Sequence, residues 1–174
     1  MTEPVVWPPA PIRTERLVLR ESAARDRATF IELFASPEVG VFVGGAQARG
    51  ELERTVPGVP GRRPGLFVVE LDEAMIGMIT LDRRGPEQRR RVRPEGGEAE
   101  LGYLFLHQVW GRGYAAEACG AALGWFGGAY PGEPVLLCTQ TANEASMRLA
   151  AKLGFTEVER FAEWGAQQWL GVRR

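Results

Sequence analysis

The chain has 174 residues, the size of one domain and enough to bury a core without disulfides or a structural metal. With 45% hydrophobic and 25% charged residues its composition is globular, which excludes a disordered or fibrous chain. Lys and Arg number 21 against 22 Asp and Glu, a net charge of −1, so no overall field attracts nucleic acid or an anionic membrane.

Residues 1–12 hold Pro4, Pro8, Pro9 and Pro11; they cannot form a helix and are expected to be an extended arm ahead of a single domain at 13–174. They also lack the basic-then-apolar pattern of a signal segment, and no apolar run approaches the ~20 residues of a membrane span. A cytoplasmic protein without a membrane partner is expected. RLVLR (16–20) reads as a strand, and Asp26 is placed to cap a helix carrying Phe30, Leu33 and Phe34 on one face. A second helix is expected over 47–56, before the turn-rich PGVPGRRPG. LFVVEL (66–71) and MIGMITL (75–81) are β-rich runs at hairpin spacing and should pair antiparallel. The stretch from Arg83 to Glu98, with Arg83, Arg84, Arg89, Arg90, Arg91 and Arg93, reads as a long, mobile, solvated connection. The strand EAELGYLFL (98–106) follows, then a helix from about Gly113 and a buried strand PVLLCT (134–139). Asn143 caps a helix over 144–153, and strands at 155–162 and 167–173 close the chain.

His107 is the only histidine, and Cys119 and Cys138 have no CxxC spacing. That excludes a zinc site or a triad with more than one imidazole, and predicts free, buried thiols. Chemistry concentrates instead in HQVWGRGYA, between the strand ending at Leu106 and the following helix. Glycines at 111 and 113 let backbone N–H groups converge on an anion, and the helix N-terminus adds partial positive charge. A Rossmann loop needs a third glycine where Ala116 stands, and a phosphate-binding Gly-Lys-Ser/Thr is absent.

Two further stretches fit a third reading. ELGYLFLHQVWGRGYAAEA resembles the acetyl-CoA signature of the GNAT N-acetyltransferases, and NEASMRLAAKLGF (143–155) resembles their second motif, in the right order. TERLVLR (14–20) and the Glu-Ala after the glycine loop are similar to the branch of the ribosomal-protein N-terminal acetyltransferases. The resemblance implies an α/β fold of α+β type: a mixed, mostly antiparallel central sheet, helices on both faces, and fourth and fifth strands splayed to admit acetyl-CoA as cosubstrate. The family pattern fits Gln108 to Gly113 literally, but the WGxGYA run aligns the loop with Trp110 at its first position and Gly113 at the helix start. In that frame the backbone of Trp110, Gly111, Arg112, Gly113, Tyr114 and Ala115 cradles the pyrophosphate, Phe105 and Leu106 lie along pantetheine as a mock strand, Arg112 is placed to pair with a phosphate, and Asn143 reaches the pantetheine arm.

The implied reaction is direct attack of a primary amine on the thioester, the amine belonging to a protein or peptide N-terminus or to a small molecule. It needs a proton acceptor, an N–H for the developing oxyanion and an acid for the thiolate. Glu100 is the candidate base, with Glu98 on the same face by period 2; the competing reading is that both are solvated or hold the arginine-rich loop. The family's acid, a tyrosine, is replaced here by Ala150. Ser146 is the substitute donor, with Tyr103 and Tyr114 more distant, and loss of that tyrosine leaves open a non-catalytic acyl-CoA-binding module. His107 is expected to be structural or solvent-facing; Trp125, Trp164 and Trp169 read first as core or lid, with Trp164 also a candidate to line the acceptor pocket. The arginine cluster lacks the aromatic interleaving of nucleic-acid binders. Neither the acceptor nor the oligomeric state has a motif.

Overall fold

The computed structural model describes residues 3–174; Met1 and Thr2 of the expected arm lie outside the described residues. One sheet contains β1 (Ile12–Arg13), β2 (Val18–Arg20), β3 (Leu66–Leu71), β4 (Ala74–Arg83), β5 (Ala99–Phe105), β6 (Val135–Gln140), β7 (Thr156–Glu163) and β8 (Ala166–Arg173). Their order is β1-β2-β3-β4-β5-β6-β8-β7, and β5–β6 is the parallel pair in an otherwise antiparallel sheet. Two cores sandwich it. Phe30 and Leu33 of α1 (Arg27–Ala35) and Val39 of α2 (Pro37–Gly40) pack with Leu66, Val68 and Met78 on one face. Ala118, Ala122 and Phe126 of α4 (Tyr114–Ala129) and Ala150 of α5 (Glu144–Lys152) pack with Phe67, Val69 and Ile79 on the other. Because β3 is covered on both faces it reads as a continuous apolar run rather than an alternating one. The outer strand β7 is exposed along most of its length and carries Glu157, Glu159, Arg160 and Glu163, charges that discourage pairing of a sheet edge with another chain.

The feature that makes the site is the parallel pair. β5 and β6 are matched only at Ala99–Val135 and Glu100–Leu136; beyond those residues they part, and the edges facing each other have no strand partner. This is the splay expected between the fourth and fifth long strands.

Several expectations are corrected. The first strand is shorter than 16–20, because Thr14 and Leu17 close a turn in which Leu17 N–H donates to Thr14 Oγ1 at 3.0 Å. The second helix, α3, spans Arg49–Thr55. Asp26 does not cap α1 with its side chain: its own backbone is already helical. Its carboxylate accepts from Ala23 N–H and from both terminal nitrogens of Arg20, each at 2.8 Å, which satisfies a carboxylate that is only 2% exposed. The proline-rich segment is anchored by Trp7, whose ring packs edge-on to Phe67 and Trp125 with centroids 5.0 and 5.7 Å away.

The arginine-rich connection is the largest departure. From Arg84 to Glu98 it has no regular structure, yet it is tied down: Arg84 pairs with Glu100 and Arg90 with Glu159 and Glu163, while Arg83, the last residue of β4, pairs with Glu133. The amides of Val92 and Arg93 donate to Glu98 at 2.7 and 2.8 Å. Charge count could not reveal this, because the partners come from β5, β7 and the loop before β6.

Candidate active site

The loop between β5 and α4 begins with a 3₁₀ turn, His107–Val109, and continues through Trp110 to Gly113. Trp110 donates its indole N–H to Phe105 O at 2.9 Å, and His107 lies edge-on to the Trp110 ring at 4.7 Å, itself exposed to solvent. Gly111 and Gly113 have φ of +77° and +81°, the left-handed region that disfavours other residues. Gly113 is the N-cap of α4, and among the described residues no amide from Gly111 to Ala116 forms a well-aligned bond to a backbone acceptor. Six consecutive free N–H groups at the start of a 16-residue helix are a cradle for a phosphorylated ligand. Trp110 N–H lies outside that run, because it donates to His107 O.

A second set of contacts braces this loop. Glu117, in the first turn of α4, accepts from Thr14 Oγ1 at 2.5 Å and from Arg16 N–H and Nε at 3.0 and 2.8 Å. Arg16 Nη1 also donates to Arg112 O at 2.9 Å, and the guanidinium lies 4.4 Å from the Tyr114 ring centre. Burial pushes the Glu117 carboxyl up, but the bonds from Thr14 and Arg16 outweigh it and hold it below its ordinary value.

Inside the gap, on the α4–α5 side, Tyr103 Oη donates to Ser146 Oγ at 2.6 Å. Asn143 caps α5 by accepting from Ser146 N–H at 3.2 Å, which leaves its side-chain NH₂ free to point elsewhere. Burial pushes the Tyr103 phenol up to about 12, so it stays protonated at neutral pH. Ala150, at the family's tyrosine position, is packed into the core.

Leu106 N–H donates to Ile76 O at 2.9 Å, toward β4. Strand alternation then turns the amides of Tyr103 and Phe105 toward the gap. Of the two residues expected to face pantetheine, Phe105 presents its N–H there and Leu106 does not.

On the opposite face of β5, Glu100 lies at the point where β5 and β6 separate. Arg84 Nε is 3.1 Å from Glu100 Oε2 but too poorly aligned to form a hydrogen bond. Arg84 spends its other nitrogens on Arg90 O and Gln88 Oε1, at 2.6 and 3.1 Å. Burial raises the Glu100 carboxyl above its ordinary value, Arg84 opposing and Asp82 assisting. Glu100 opens into a cleft of about 370 Å³ that also touches Thr80, Asp82, Gly102 and Cys138. Cys138 is half-buried rather than buried, and burial lifts its thiol to about 11. Trp164 stands 79% exposed at the β7–β8 turn, away from this lining. A larger hollow of about 600 Å³, between Ala24 and Glu53, shares no residue with the site.

Hydrogen bonds join Tyr103, Ser146 and Asn143, Glu100 lies at the last matched β5–β6 pair, and the 111–115 backbone follows the end of β5. Sequence spacing missed the Tyr103–Ser146 bond and the Arg84 and Arg16 contacts; only the co-occurrence of TER and GYAAEA hinted at the last.

Against known proteins, the acetyltransferase (GNAT) domain model matches residues 16–156. The Bacillus subtilis (strain 168) protein YkkB, described as uncharacterized, is 30% identical over 159 residues, which are 87% of this chain and 88% of that one. An acetyltransferase from Agrobacterium tumefaciens strain C58 superposes with a TM-score of 0.75 at 24% identity, covering 100% of this chain and 99% of the other. RimL, a ribosomal L7/L12 alpha-N-protein acetyltransferase solved in complex with coenzyme A, gives 0.71 at 14% identity, with 94% and 97% covered. With the match spanning most of the chain and the sheet, gap and glycine loop in place, the protein belongs to the GNAT family of acetyltransferases, whose cosubstrate is acetyl-CoA.

Proposed function

We propose that this chain acetylates a primary amine by direct attack on acetyl-CoA, with the N-terminal amine of a protein or peptide as the acceptor. The observation that carries the reading is the placement of Glu100 on one face of β5 and the Tyr103–Ser146 pair on the other, at the gap where β5 and β6 part. The free amides 111–116 hold the pyrophosphate. The edge amide of Phe105 and the side-chain NH₂ of Asn143 hold pantetheine. The acceptor enters from the cleft beneath Glu100.

The neutral amine attacks the thioester carbonyl, and Glu100 takes the proton its nitrogen sheds, directly or through one water, as the new C–N bond forms. Tyr103 N–H, aimed into the gap, donates to the developing oxyanion. As the C–S bond breaks, Ser146 Oγ–H protonates the sulfur, Tyr103 Oη–H replaces that proton, and the phenolate takes one back from solvent before the next turnover. An α-amine, with an ordinary pKa of about 7.7–8.0, is partly neutral at physiological pH, whereas a lysine amine at about 10.4 is not. A carboxylate raised only by burial is a sufficient base for the first, and RimL, one of the structural neighbours, is an alpha-N-protein acetyltransferase.

The test is acetyl transfer followed as free thiol, with peptides bearing free or blocked N-termini beside small-molecule amines and lysine-only peptides. Turnover confined to free N-termini is expected. Equal turnover of a blocked peptide carrying lysine removes the acceptor assignment, and CoA binding without turnover of any amine removes catalysis.

A further inference from the structure

Glu117 presents a difficulty for a phosphate site. It is the fourth residue of α4, and its carboxylate lies close to the place where the free amides would receive an anion. A negative charge there favours the helix N-terminus but repels a second anion bound at the same end. The structure neutralises it from a segment 101 residues earlier: Arg16 gives Nε and its backbone N–H to Glu117, and Nη1 to Arg112 O. Among the described residues its Nη2 meets no protein acceptor, and it lies 3.4 Å from where a Cβ on Gly113 would sit.

We propose that Arg16 is a positioning residue for the acetyl-CoA pyrophosphate. It turns the Arg112 carbonyl away from the cradle, cancels Glu117, and leaves the Nη2 edge of its guanidinium beside Gly113 for a phosphate oxygen. This rests on the reading that amides 111–116 hold the pyrophosphate. A simple tether between the N-terminal segment and α4 needs only the contact with Glu117, an exposed pair of little energetic weight. It does not need the fork to reach Arg112 O, the Tyr114 ring and Gly113 together, and planar recognition of that kind is characteristic of arginine rather than lysine.

The experiment compares acetyl-CoA with acetyl-pantetheine, which lacks the pyrophosphate, in the wild type, Arg16→Met, Arg16→Lys and Arg16→Met/Glu117→Gln. For Arg16→Met, KM for acetyl-CoA should rise about tenfold or more with kcat nearly unchanged, as for loss of a charge-assisted contact. KM for acetyl-pantetheine should not move. Arg16→Lys keeps the charge without the fork and should fall between, which also secures the test if Arg16→Met folds poorly. Adding Glu117→Gln should recover part of the loss by removing the uncompensated carboxylate. A parallel rise for both substrates, or no rise for either, overturns the role of Arg16. If the wild type itself does not distinguish the two substrates, the pyrophosphate assignment of the loop fails, and Arg16 with it.

Discussion

Glu98, just ahead of β5, and Glu100, within it, sit two residues apart and meet opposite fates. Burial pushes Glu98 up, but the amides of Arg93 and Val92 outweigh it and hold the carboxyl below its ordinary value; Glu100 receives no aligned donor and is raised. A base must be ionised, so the acid limb of kcat/KM should lie above the ~4.3 of a free glutamate. Glu100→Gln should lower kcat by ~10²–10⁴-fold with little change in KM for acetyl-CoA, part of the rate returning at high pH where the amine is already neutral. Full activity in Glu100→Gln would mean that positioning alone supplies the catalysis. The acid side as proposed is a series relay, which double substitution tests. Tyr103→Phe and Ser146→Ala should each slow turnover, and the double variant should be no slower than the worse single one, because both break one chain. Multiplying effects would show two independent donors.

At the scale of elements, the connection from Arg84 to Glu98 links fold and chemistry, since it delivers Arg84 to Glu100 and is itself fastened by Glu98. Glu98→Ala strands two amides and should destabilise the protein by about 1–3 kcal/mol, with faster hydrogen exchange at Val92 and Arg93. Because the folded carboxyl lies below its unfolded value, its stabilisation is present above about pH 4.3 and is lost as pH falls through the folded value. The urea midpoints of wild type and variant should therefore converge on acidification; a gap constant with pH would show that the charge is irrelevant. The elements were largely legible, since β3, β4, β5, α4, α5 and the closing hairpin each carry a local periodicity or cap. Contacts between elements were not. Six arginines in one loop look alike until β5 and β7 supply their partners, Asp26 looks like a cap until Arg20 is folded against it, and Tyr103 reaches Ser146 across 43 residues with no spacing rule to announce it.

For the whole molecule, the sheet covered on both faces frames the gap beyond Ala99–Val135 and Glu100–Leu136. A ligand filling that gap and capping the free amides binds the folded state alone, so it must raise stability by mass action. At one hundred times its Kd the gain is about 2.7 kcal/mol, and a chain of this size shifts by about 2–4 °C per kcal/mol, so saturating acetyl-CoA should raise Tm by about 5–10 °C. Gly113→Val tests whether the cradle is responsible. Its φ of +81° strains a β-branched residue, and the new side chain begins 3.4 Å from Arg16 Nη2. The apo protein should melt a few degrees lower, and the ligand-induced rise should vanish even where the variant remains cooperative and folded. A folded Gly113→Val protein that still gains the full shift would place the pyrophosphate elsewhere on the frame, because no other feature of that substitution reaches the gap.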